Sequence, residues 1–421
     1  MKKIAIIGGG ISGLYIANLL RKNSSYEITI YEKNNSVNLE KGYGIQLSTN
    51  SIKLLNEIGF QNINFEDKFH PNKVDFYSLK NKKKICDLNI SAFNINEAKY
   101  TTLQRFTLIN FLKNQLPDNF INYNKKVTKI DYESDNIEVT FENSSSIKCD
   151  YLVISDGAFS KSKSLIAKKE IKPKYFKSIA LRATIDSDSL QGINPSNISL
   201  SLGSNLHSVT YPIDNKGQLN FISILRKKLS INELSDYSLF EKSDFISSIL
   251  SKISKQIDLD IIKNLKDVRC FPVFVSSEVH QPINKNIFLI GDAFFTLPPT
   301  FAQGASQSIE VAHELYKNLE GENNQFNNER IKRTKMINLK SKFNYFAFHL
   351  SNPVIIWVRN IILSYLVKHI RHYTIICVYC RRVLMVCAGS RVGVQHVRYE
   401  KHKRNIASCA DRLFTCVDCD T

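Results

Sequence analysis

The sequence predicts an α/β fold, α+β overall, in which a parallel sheet wrapped by helices is interleaved with an antiparallel sheet. Three observations carry this. Lys3-Ile4-Ala5-Ile6-Ile7 is a continuous apolar run, as expected of a strand covered on both faces, and it passes through glycines into a helical pattern. Far along the chain a second apolar strand, Asn286-Ile287-Phe288-Leu289-Ile290, runs into Gly291-Asp292 and another helical pattern. Between them, stretches such as Lys177–Thr184 and His207–Tyr211 alternate polar and apolar residues, the period of an antiparallel strand. A chain of 421 residues, 43% apolar, also exceeds what one core of roughly 250–300 residues organises, so two domains are expected.

The opening element is the most specific. Gly8-Gly9-Gly10-Ile11-Ser12-Gly13 has the spacing G-x-G-x-x-G directly between a strand and a helix. Gly8 permits the tight turn, Gly10 lets the backbone approach a pyrophosphate, and Gly13 lets the helix pack on the strand. The helix start then offers N–H donors and a partial positive charge. The next strand, Glu27–Tyr31, ends in Glu32, where an acid accepts hydrogen bonds from an adenosine ribose. A dinucleotide site follows from these parts together, in a Rossmann-like domain. Gly42-Tyr43-Gly44 lies close behind and suggests backbone running near the cofactor.

The late segment reads Gly291-Asp292-Ala293-Phe294-Phe295-Thr296-Leu297-Pro298-Pro299, then Gln303-Gly304-Ala305-Ser306 and a helical pattern of Ile309, Ala312, Leu315 and Leu319. It resembles the Gly-Asp motif of the single-component FAD-dependent aromatic hydroxylases, the group containing para-hydroxybenzoate, salicylate and ubiquinone-biosynthesis hydroxylases. Intermediate landmarks agree in order. Asp150–Lys163 is similar to that family's Asp-Gly motif, with Lys163 where Arg is usual; Arg105 with Leu108 is similar to its Arg-x-x-Leu helix; and Tyr211-Pro212 with Asn220 resembles a substrate-domain hairpin. Phe295 stands where the family usually has His.

The resemblance implies a para-hydroxybenzoate hydroxylase-type FAD domain over 1–75, 100–170 and 280–345, a substrate domain over 76–99 and 171–279, and a C-terminal helix over 346–370. It implies that Gly8, Gly10, Ser12 and Gly13 hold the FAD pyrophosphate, that Glu32 and Lys33 lie at the ribose, and that Arg105 reaches ribose and phosphates. Gly44, Val127 and Asp156 would border the cofactor, Asp292 the ribityl chain, and the N–H groups of Gly304, Ala305 and Ser306 the flavin pyrimidine. A helix start there suits the negative charge of reduced flavin.

The reaction so implied is hydroxylation of a phenolic ring with O2 and NADPH or NADH, through hydride transfer to FAD and a flavin C4a-hydroperoxide, without a metal. Pro298, Pro299 and Tyr211 are the candidates on the substrate side; Arg182 and His207 face a phenol or carboxylate only if the sheet turns them inward. No catalytic base is assigned. A ubiquinone precursor is the alternative substrate. An isoprenoid-chain reductase is a second alternative, while a halogenase is disfavoured because Trp357 is the single tryptophan.

Composition bounds the partners. The net charge of +18 invites nucleic acid, yet the lysines are scattered, and no basic stripe interleaved with aromatics appears. Monomer and homodimer are both compatible with the chain. Cys86, Cys149 and Cys270 are isolated in the body, as in a reducing, cytoplasmic protein, and no cleavage site follows the first apolar run. Pro353–Val367 is apolar but interrupted by Arg359 and Asn360, and shorter than the roughly 20 residues of a span. It reads as a helix packed over the FAD domain or, with Lys368 and Arg371, as an interfacial helix at the inner membrane face.

Residues 371–421 hold 2 Lys and 7 Arg, against 40 Lys and 8 Arg before them, and six of the nine cysteines. The change of character suggests a frameshifted or foreign segment that packs poorly. Cys377/Cys380 and Cys416/Cys419 have the look of thiol pairs for Zn2+, but their separation exceeds ribbon spacing of roughly 15–20 residues.

Overall fold

A computed structural model describes residues 1–369 apart from 37–42, 134–135, 191 and 323–324; Gly42, Arg371 and the cysteine-rich segment lie outside the described residues. Lys2–Ile7 sits in the middle of a five-stranded parallel sheet, ordered Ile287–Leu289, Tyr151–Ile154, Lys2–Ile7, Tyr26–Tyr31, Ile121–Asn122. Its unbroken apolar run has a direct cause. Ile4 and Ile6 point into a core shared with the helices Ile11–Leu20 and Gly304–Leu319, while Ala5 and Ile7 point into a second core. That second core is roofed by the three-stranded antiparallel sheet Val127–Glu133, Asn136–Phe141 and Ser146–Cys149. A strand covered on both faces has no position left for a polar side chain.

The other lobe is a seven-stranded sheet, in the order Lys266–Val275, Lys174–Asp186, Gln218–Arg226, Leu206–Pro212, Ile198–Gly203, Lys73–Ser78, Lys84–Asn89. Neighbours are antiparallel except Ile198–Gly203 beside Lys73–Ser78. Period two sorts its residues. Ile179, Leu181, Ala183, Ile185, Phe221 and Leu225 pack under Phe245, Ile249 and Ile253 of the helix Ser243–Ile253. The opposite face carries two cross-strand rows fixed by register: Arg269, Arg182, Ile222, Val209, and beside it Thr184, Asn220, Tyr211. This is the face met by the strand Gly44–Leu47, where the Gly44 N–H donates to Asn220 Oδ1 at 2.9 Å.

Helix Gly304–Leu319 is clamped to Phe326–Phe348 by buried charge. Arg330, 2% exposed, donates to Glu314 Oε2 and Gln307 Oε1, each at 3.0 Å, and Arg333 donates to Glu310 Oε2 at 3.4 Å. Removing one member leaves another charge buried without its partner. Arg330→Met is therefore expected to lower the unfolding free energy by about 3–5 kcal/mol in a urea titration; a loss under about 1 kcal/mol would refute the clamp.

Helix Pro353–His369 does not cover the FAD domain as expected. It packs on the edge strand Lys84–Asn89 of the seven-stranded sheet, with Leu363 and Val367 in that core and Ser364 Oγ donating to Ile85 O at 3.1 Å. The edge strand offers unpaired backbone groups, and this helix shields them.

Candidate cofactor site

The glycine turn is held by its neighbours before any ligand is considered. Gly8 has φ +106°, donates its N–H to Tyr31 O at 2.9 Å, and would bring a Cβ to 2.7 Å from Ser155 O. A Cβ on Gly13 would stand 2.1 Å from Gly8 O, so only glycine lets helix and strand approach this closely. Gly10 differs: a Cβ there would meet nothing within 4 Å. Its hydrogen faces open space, as a cradle for a pyrophosphate requires. Ser155, just past the end of the neighbouring parallel strand Tyr151–Ile154, braces the turn by donating to Ile7 O and Gly8 O at 2.9 and 3.0 Å.

Glu32, buried at the end of Tyr26–Tyr31, is immobilised by two backbone donors, Gly9 N–H at 2.8 Å and Asn34 N–H at 3.0 Å. Each oxygen keeps a lone pair for a hydroxyl. These groups open into a cleft of about 750 Å3 whose walls include Gly8–Gly10, Glu32, Lys33, Arg105, Lys125–Val127 and Ser155–Gly157. Asp156 lies on its rim. One of its oxygens accepts from Ser162 N–H at 3.2 Å, while Oδ1 is buried without a partner in the protein. Beside it Lys163 is 4% exposed, and burial lowers its pKa while Asp156 and Asp292 pull it back up.

Asp292 is delivered by a turn in which Gly291 has φ +59° and Ser12 Oγ would lie 2.2 Å from any Cβ, so Ser12 wedges the early turn against the late one. The Asp292 side chain is exposed at the turn, yet desolvation by the protein around it pushes its pKa up to about 6 against the pull of Arg105 and Lys163. Arg105 lines the cleft and feels Asp292 in return. Helix Gly304–Leu319 starts without a side-chain cap, leaving the first N–H groups of Gly304, Ala305 and Ser306 for a ligand. The Ser306 hydroxyl itself is engaged, accepting from Ser48 N–H at 3.0 Å. Thr300 Oγ1 donates to Ser341 O at 2.7 Å and anchors the turn of Pro298, which is buried, and Pro299.

The open cradle at Gly10, the unpartnered Asp156 oxygen and the donor set at the helix start all fit FAD. The chain matches the family model described as "FAD binding domain" over residues 1–331. The chain belongs to that family. Among curated relatives it is 23% identical over 339 residues to salicylate hydroxylase of Pseudomonas putida, covering 74% of this chain and 75% of that protein. It is 24% identical over 315 residues to 6-hydroxynicotinate 3-monooxygenase of Pseudomonas fluorescens, covering 73% and 80%. HpxO of Klebsiella pneumoniae, crystallised with FAD and uric acid, has the same fold: TM-score 0.74 at 16% identity, over 91% of this chain and 97% of that one. A salicylate hydroxylase substrate complex gives TM-score 0.72 at 15% identity, over 94% and 99%.

Not every expected residue reaches the cleft of this FAD-binding protein. Gly44 abuts the seven-stranded sheet, where a Cβ would meet Ile213, Asn220 and Tyr211 at 2.5, 2.7 and 3.0 Å; its smallness lets the two lobes meet. His207 is not available to substrate. Its Nδ1 lies 2.8 Å from Nε2 of His349, both rings are buried, and burial drops the His207 pKa to about 3. Phe295 is buried in the core beside Ala293 and Phe294. Tyr211 is buried, hydrogen-bonded to Gln46, and burial drives its pKa up. Lys125 and Lys126 on the cleft wall escape sequence reasoning, because only the pairing of Ile121–Asn122 with Ile30–Tyr31 brings them there.

Proposed function

We propose that this chain is an FAD-dependent monooxygenase that hydroxylates a small phenolic ring with O2 and NADH or NADPH, and that the ring bears a carboxylate. The flavin, once bound and reduced, supplies activation of O2; one oxygen atom enters the ring and the other leaves as water. The chain's own part is placement and exclusion of water. The observation that carries the reading is the junction at Gly44–Asn220, which sets the sheet rows Arg182, Ile222, Val209 and Thr184, Asn220, Tyr211 against the side where Arg105 and Asp292 meet. The helix start at 304–306 favours negative charge on the flavin, and Pro298-Pro299 gives the turn beside it a stiff wall. The relatives named above act, by their names, on salicylate and 6-hydroxynicotinate, both aromatic acids. The test is NADH and NADPH oxidation by the flavin-loaded protein against phenols, aromatic acids and short-chain quinone precursors, with peroxide counted separately. Oxidation stimulated by an aromatic acid without matching peroxide supports the reading. Peroxide alone with every compound refutes it.

We also propose a peripheral contact with anionic membrane. No described helix is long and apolar enough to cross a membrane. Residues 330–369 contain eight Lys or Arg and no Asp or Glu. The helix Phe326–Phe348 exposes Lys332, Lys335, Leu339, Lys342, Phe343 and Phe346, and Pro353–His369 exposes Val354, Trp357, Ile361 and Tyr365. Large apolar side chains interleaved with lysines suit the boundary between headgroups and acyl chains. Flotation with vesicles rich in phosphatidylglycerol is expected to carry the full chain, Trp357→Ser with Ile361→Ser to lose most of it, and phosphatidylcholine vesicles to carry little. Equal binding to both lipids, or none, contradicts the contact.

A further inference from the structure

We infer that a groove beside helix Pro353–His369 holds the phosphate headgroup and upper acyl chain of one anionic phospholipid molecule, an inference that rests on the membrane contact proposed above. The groove encloses about 680 Å3, within the roughly 300–1,000 Å3 of a small-molecule site, and shares no lining residue with the cofactor cleft. Its walls come from three places. The turn at 79–82 follows strand Lys73–Ser78 and meets the end of strand Ile198–Gly203; residues 254–259 follow helix Ser243–Ile253; and Pro353, Ile356 and Arg359 recur at three-residue spacing on helix Pro353–His369. The first two walls are tied together. Gln256 accepts from Ser204 N–H at 2.8 Å and donates to Ser204 O at 3.0 Å, and Leu79 N–H donates to Leu202 O at 2.9 Å.

The lining names the ligand's chemistry. Leu79, Leu202, Ile257 and Ile356 make part of it apolar, while Lys80, Lys82, Lys255 and Arg359 bring four cations. Asp258 is the one acid among the lining residues, and Lys82 already pairs with it. Lys80 and Lys255 are exposed, and among the described residues their side chains make no ion pair. Arg359 is half-buried and anchored, donating to Ala347 O at 3.1 Å and twice to Asn360 Oδ1, at 3.1 and 2.8 Å. Three of its five N–H groups are so used, which leaves two for phosphate oxygens. Surplus cations beside an apolar wall match an anionic head that carries a hydrocarbon chain; a free anion would leave the wall bare, and a neutral lipid would leave the cations unmatched. The same helix exposes Val354, Trp357 and Ile361, none of which lines the groove, so a bilayer meeting that face brings its headgroups alongside.

The test titrates the FAD-loaded full chain with dihexanoyl lipids kept below their micelle concentrations, so that no lipid surface is present, and reads binding by calorimetry. Dihexanoylphosphatidylglycerol is expected to saturate a single site and to bind roughly tenfold or more tightly than dihexanoylphosphatidylcholine, the discrimination of charge-assisted contacts. Lys80→Gln with Lys255→Gln should erase that preference at unchanged melting temperature and flavin content, and Ile356→Asp should weaken the anionic lipid severalfold. Glycerol 3-phosphate, the head without its chains, should bind far more weakly. Equal affinity for the two lipids, a preference kept in the double variant, or glycerol 3-phosphate binding as tightly as the lipid overturns the inference. Flotation scores the surface contact separately. Vesicles rich in phosphatidylglycerol that carry a chain unable to bind the soluble lipid leave that contact standing and refute the groove; failure of both removes the contact and the inference with it.

Discussion

Gly10→Ala is expected to give a protein that folds normally and retains no flavin. The added methyl would meet no protein atom within 4 Å, and Gly10 has ordinary extended dihedrals, φ −84° and ψ −174°, so the apoprotein should lose little stability. What the methyl enters is the space into which a pyrophosphate must come. Gly13→Ala is the contrast, because its methyl would lie 2.1 Å from the Gly8 carbonyl oxygen, an atom of backbone that cannot swing aside. That variant should be insoluble or melt far below the parent, with or without FAD. Equilibrium dialysis against FAD, paired with thermal melts of the apoproteins, separates the two outcomes. Were Gly10→Ala to bind FAD as the parent does, the cradle would lie elsewhere.

Asp292→Asn should weaken FAD roughly 10- to 100-fold, the usual worth of a hydrogen bond to a charged group. It should also change how the unliganded protein responds to pH. Desolvation raises the Asp292 pKa in the folded state to about 6 from 3.8, so between these values the native state holds a proton that the unfolded chain has released. Stability of the unliganded parent must then fall as pH rises from about 4 to 6, and the deficit persists above that window. The asparagine variant lacks the titration and should show a flatter profile, more stable than the parent at pH 7. Parallel profiles for the two proteins would show that Asp292 is solvated like an ordinary surface acid.

Much of the cofactor side was legible in the chain because its demands are local. A turn that needs φ +106° at Gly8 and close approach at Gly13 admits only glycine, and the strand before it is apolar because both its faces are covered. The acid at 292 was readable for the same reason, since the strand, the turn at Gly291 and the following helix are contiguous. What failed to show was what register decides. Gly44 reads as a cofactor glycine until the sheet brings Asn220 and Tyr211 against it. His207 and Tyr211 lie on one face of one strand, yet helix Phe326–Phe348 ends over the first and delivers His349 to it. Buried Arg330 and Lys163 look like solvated residues in sequence, since a lone cation carries no sign of the carboxylate that will meet it.

The central claim is that one FAD lies along the glycine turn and reaches the corner at Asp292. Measuring flavin against protein after gel filtration of the full chain, purified with FAD present, tests it most directly. An equimolar yellow complex that is lost in Gly10→Ala is the expected result; a colourless parent protein that takes up no FAD on titration would contradict the account.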